Sequence, residues 1–161
     1  MSRFLPNRDQ IIGFICALLV MNIIGVIIST QFNLGHLLAL GVDIPFSQRL
    51  STTLHDIVSM QPLFGAIFGT GLLIAMMVGT IIARLVKILP DLVFALAGFA
   101  AIAVTLTALQ AAFQITAIGA TREWDGFLGL CLIGALSGYV YSVSTMRFGA
   151  WAAARRNSSP A

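Results

Sequence analysis

Few side chains in this 161-residue sequence could do chemistry, and most stand in one short stretch. His36 and His55 are its two histidines, and Asp56 follows His55 directly. Helical neighbours point about 100° apart, so His55 and Asp56 make no ready acid–base dyad. Arg49 and Asp56 share a face but lie two turns apart, and Arg122 and Glu123 form a second polar pair further on. Convergence of His36 or His55 with Arg122 and Glu123 would make a catalytic outer cluster; the exposed side of a helix is the plainer account. Zinc needs more ligands than two histidines and scattered acids. A membrane haem needs histidines on facing helices, and neither histidine lies in an apolar run. No metal or cofactor is therefore expected. Cys16 and Cys131 fall at depths that differ by more than about 7 Å, too far for a disulfide. Both read as small apolar residues, not as the cysteine pairs of a thiol oxidoreductase.

Asn22, Thr70, Gln110 and Gln114 interrupt otherwise apolar runs. At 1.5 Å per residue, Asn22 lies about 12 Å below the outer end of its run. Thr70 and Gln110 come to the same level, and Gln114 stands one turn further out on the face of Gln110 and Thr107. Polar groups in hydrocarbon must find one another, so this layer is expected to face inward. It reads as an interhelical hydrogen-bond cluster; the alternative is a pocket for a small polar ligand or a quinone head group. No acid or base interrupts the runs, which disfavours an ion-coupled transporter.

The elements that carry these residues follow from composition. Residues of the AVILMFWYC set make up 58% of the chain and charged residues 9%, with a mean hydropathy of +0.97. A soluble domain carries about 25% charged residues, so a soluble enzyme is excluded in favour of an integral membrane protein. Crossing a bilayer takes about 20 mostly apolar residues. Four runs meet that length, at 11–30, 62–83, 92–118 and 126–146. The first follows Arg3 and Arg8 but is too long for the apolar core of a cleaved signal peptide, and reads as an uncleaved anchor. The fold expected is all-α: a single transmembrane four-helix bundle with an amphipathic outer segment between helices one and two.

Charge orients the bundle. Arg3, Arg8, Arg84, Lys87, Arg147, Arg155 and Arg156 fall on one side, and Arg49 and Arg122 on the other. The positive-inside rule puts both termini in the cytoplasm. The isoelectric point near 9.4 thus reports topology, and no nucleic-acid partner is expected. The cytoplasmic segment 147–161 can rest on anionic headgroups, with its end from Arg155 expected to be disordered. In the outer segment 31–61, Asn33 is expected to cap a short helix over Leu34, Leu37 and Leu38. Phe46, Leu50, Thr53, Leu54, Ile57 and Val58 then recur at spacings of three and four, the mark of an amphipathic helix. Asp125 is placed to cap the fourth span. Gly65, Gly69, Gly71, Ala75 and Gly79, and likewise Gly134, Gly138 and Ser142, form small-residue faces that let helices approach closely, within the bundle or in a homo-oligomer.

The stretches QFNLGHLLALGVDIPFSQRLSTTLHD (31–56) and AIGATREWDGFLGLCLIGALSGYVYS (117–142) resemble small, uncharacterised four-span inner-membrane proteins of Gram-negative bacteria. The resemblance implies a multi-pass inner-membrane protein and no particular activity. The function expected is that of a non-catalytic accessory or anchoring subunit presenting a shaped outer face to a membrane or periplasmic protein. The alternative is a small-molecule or quinone-binding protein, or a small transporter, that uses the polar layer.

Overall fold

The computed structural model describes residues 8–39, 45–59, 61–86, 89–113 and 124–157. They form five helices: α1 (Arg8–Ala39), α2 (Phe46–Ser59), α3 (Gln61–Val86), α4 (Pro90–Phe113) and α5 (Trp124–Asn157). Four of them, α1, α3, α4 and α5, are long and apolar enough to cross a membrane. The chain is therefore an all-helical, multi-pass membrane protein. α1 and α5 pack side by side, α4 packs on the other flank of α5, and α3 packs on α4 and more lightly on α1. The diagonal pair α3 and α5 barely touch. Phe68, Met21, Leu72, Ile102, Leu106 and Leu130 fill the centre of this ring. Large apolar residues such as Ile15, Leu19, Ile74, Met77, Val104 and Leu132 line its outside, as lipid-facing surfaces require.

Small residues set how closely the helices meet. Gly98 of α4 lies against the backbone of Gly134 and Gly138 of α5, and Gly138 lies against the carbonyl of Phe94. No side chain separates the two backbones there. Gly13 of α1 meets the Thr145 hydroxyl and the Tyr141 carbonyl of α5. The glycines of α3 serve two neighbours: Gly65 and Gly69 face Asn22 and Leu18 of α1, while Gly71 and Gly79 face Thr105 and Phe94 of α4. At the start of α4, the Asp91 carboxylate accepts from Ser142 of α5 at 2.6 Å. Phe94 and Tyr141 meet edge to face beside it, 5.0 Å between ring centres.

Two expected boundaries are corrected. Asn33 does not begin a new helix; it is half-buried inside α1, which continues to Ala39. At 32 residues α1 is about 48 Å long, so its last turns project well beyond a hydrocarbon layer about 30 Å thick. The chain after Met146 is likewise helical through Asn157, where disorder was expected from Arg155. The alanines Ala150, Ala152, Ala153 and Ala154 have the highest intrinsic helix propensity and carry α5 onward. Asp125 stands within the first turn of α5, where its charge suits the positive end of the helix.

Candidate functional site

One end of the bundle is built by α1 and α2. Thr30, almost fully buried near the top of the α1 span, donates its hydroxyl to Asp56 of α2 at 2.8 Å. One residue on, the Gln31 amide donates to the Thr53 hydroxyl at 3.2 Å. Thr53 in turn donates to the Arg49 carbonyl one turn back, at 2.8 Å. These links turn α2 about its own axis. Thr53 and Ile57 enter the bundle, with Arg49 and Asp56 half-buried beside them.

The expected apolar face is thereby divided. Phe46, Leu50, Leu54 and Val58 are 53–80% exposed and do not pack on the bundle. At about 100° per residue their stripe is centred about a quarter-turn from the docked side. Gln48, Ser51, His55 and Ser59 are exposed on the face beyond it. α2 thus has three sides: one docked, one apolar and not covered by the described residues, one polar. Asp56, expected among the exposed polar residues, is in fact the group that fixes the helix to α1. His36 is half-buried in the last turn of α1, and His55 is exposed. Among the described residues no three His, Cys, Asp or Glu side chains group as metal ligands. Arg122, Glu123 and Gln114 lie outside the described residues, as does any convergence of the first two with the histidines.

The intramembrane layer does not come together as expected. Asn22 does point inward and is 4% exposed. Its amide nitrogen donates to the Leu18 carbonyl of its own helix at 3.0 Å, and its Oδ1 meets no donor among the described residues. A Cβ on Gly65 of α3 would stand 3.7 Å from both polar atoms of that amide. Thr70 misses the layer twice: Gly65 of α3 is level with Asn22 and Gly69 with Leu18, which puts Thr70 more than one turn away, and it is exposed, its hydroxyl returned to the Ala66 carbonyl. It lines an open groove of about 710 Å³ between α3 and α4, floored by Gly71, Ala75, Ala97 and Ala101. Gln110 is half-buried, while Thr107 is exposed and bonds the Ala103 carbonyl of its own helix. Neither level nor direction of Thr70 was readable from residue counts: the counts missed the register of α3 against α1 by more than a turn, and the largely apolar α3 does not tell one side from another. The Ser142–Asp91 link was missed altogether. Its one signal was the four-residue series Gly134, Gly138, Ser142, which aims Ser142 at whatever helix the glycines meet. Comparison with protein-family models, with curated proteins and with solved structures returns no match.

Proposed function

We propose that the protein is a non-catalytic accessory or anchoring subunit of a bacterial inner membrane, with both termini in the cytoplasm. One observation carries this reading: α2 is fixed to the outer end of α1 by the Thr30–Asp56 and Gln31–Thr53 bonds. Holding a short helix in one orientation with its apolar and polar sides both uncovered suits a surface made for display. Thr30, Gln31, Thr53 and Asp56 are used in holding α2, which leaves the exposed Gln48, Ser51, His55 and Ser59 to be read by a partner. The resemblance to four-span inner-membrane proteins and the seven cations on one side support the compartment and the orientation. The partner class is a membrane or periplasmic protein, with a second copy of the chain as the homomeric case.

The test is recovery from native membranes with the wild-type chain and with Ser51→Arg/His55→Glu. A protein retained by the first and lost by the second, at equal expression and folding, supports the reading. Equal retention by both, or nothing retained by either, overturns it.

A further inference from the structure

We propose that Asn22 marks a binding site, entered from the lipid between α1 and α3, for a neutral amphiphile bearing a hydroxyl group. The inference is independent of the outer-face reading above. It starts from the least closely held seam of the ring. α4 and α5 meet backbone to backbone, and α1 and α5 are joined along their length, but α3 touches α1 lightly and α5 hardly at all. On the α1–α3 seam α3 presents Gly65 and Gly69 to Asn22 and Leu18. Gly69 lies under Leu18, and Gly65 leaves a hollow of about one methyl group over the Asn22 amide.

The amide itself says what is missing. An asparagine oxygen can accept two hydrogen bonds. Asn22 Oδ1 is buried and accepts none from the described residues, although the amide nitrogen beside it is bonded. A buried acceptor without a donor is costly, and a donor arriving from outside would remove that cost. Three features select the donor. It is neutral, because Asn22 lies about 12 Å inside the apolar layer with no charged residue in the adjoining stretches of α1 and α3, and an ion there is expensive. It carries a hydroxyl, which can donate to the open Oδ1 and also accept the second hydrogen of the Asn22 amide nitrogen, whose first goes to Leu18. It is amphiphilic, because the neighbouring Leu19, Ile23 and Leu63 are exposed apolar residues on which a lipid chain can lie. One donated hydrogen bond and an apolar chain, as in a long-chain alcohol or a diacylglycerol, match this site.

The test compares two probes that differ only in the donor. The full-length protein in lipid nanodiscs is titrated with 1-dodecanol and with 1-methoxydodecane. Binding is followed by the thermal unfolding midpoint and by the side-chain amide resonance of Asn22, in protein carrying ¹⁵N-asparagine. Wild type is expected to bind the alcohol about five- to tenfold tighter than the ether, as one hydrogen bond to an otherwise unmatched acceptor implies. The Asn22 resonance should move with the alcohol alone, and Asn22→Leu should remove the preference. Equal binding of the two probes, a silent Asn22 resonance, or a preference that survives Asn22→Leu would overturn the proposal. If Asn22→Leu does not fold, the two wild-type readouts still decide.

Discussion

A methyl group is the smallest side chain that mutation can add to glycine, and at Gly98 or Gly138 it has nowhere to go. The obstacles are the Gly134 and Phe94 carbonyls, which belong to helix backbones and cannot rotate aside. Gly98→Ala and Gly138→Ala should each cost about 3 kcal/mol or more, the upper end of overpacking penalties. Unfolding of the purified protein with sodium dodecyl sulfate in mixed micelles measures this. Gly35, in the projecting end of α1, has nothing within 4 Å of an added Cβ. Gly35→Ala should therefore stabilise by about 0.5–1 kcal/mol, the ordinary helix-propensity difference. Opposite signs for one chemical change would locate the tight seam without any further structure. Ser142→Ala should cost about 1.5–3 kcal/mol in the same titration, because it takes the donor from a half-buried carboxylate. An effect below about 0.5 kcal/mol would show that Asp91 finds other partners.

Among the elements, α2 and the start of α4 are held by few interactions each. Thr30→Val leaves Asp56 without its buried donor and should loosen α2 while the spanning helices stay intact. Amide exchange from Leu50 to Ile57 should then quicken by about tenfold, as loss of about 1.4 kcal/mol implies. Unchanged exchange would mean that Ile57 packing alone holds the helix. At α4, Leu89 opens the helix with φ 79°, and its carbonyl accepts from the amides of Leu92 and Val93. Left-handed backbone costs a residue with a Cβ roughly 1–2 kcal/mol, and glycine much less. The Leu89 side chain is 63% exposed and gives little back. Leu89→Gly should raise stability by about 1 kcal/mol in the detergent titration, and a loss would place Leu89 in a contact that matters more than its φ.

At the scale of the whole molecule, topology is the property that charge decides. On a background without Cys16 and Cys131, a cysteine at Ser47 should react with an impermeant reagent in intact spheroplasts and one at Ser158 should not. The reverse pattern would invert the protein in the membrane. The number and rough extent of the spans were legible because insertion depends on summed hydropathy, which residue counts report. What ends a helix outside the membrane was less legible. Asn33 has the chemistry of a cap but lies mid-helix, and the alanine-rich stretch after Met146 gave no polar signal that it was still folded. The candidate site was half legible: Asn22 is buried as its cost in lipid demands, yet Thr70 satisfies its hydroxyl on its own backbone and can face outward. A threonine inside a span therefore says little about direction, and an asparagine says more.

The ring has one further consequence, for the order in which it is made. α1 leaves the ribosome before the other described helices, and one of its main neighbours, α5, leaves after them. Until then α1 has only α2 and the glycine side of α3 to lean on, and α4 lacks the groove that its Gly98 requires. The first four helices thus wait in the membrane as an open hairpin array, exposed to quality-control proteases, and the fifth closes them in one step. A chain stopped before Trp124 should be degraded rapidly in cells, and co-expression of the 124–161 fragment should restore it. Pulse-chase half-lives would show whether the helix made after these four is also the one that locks them.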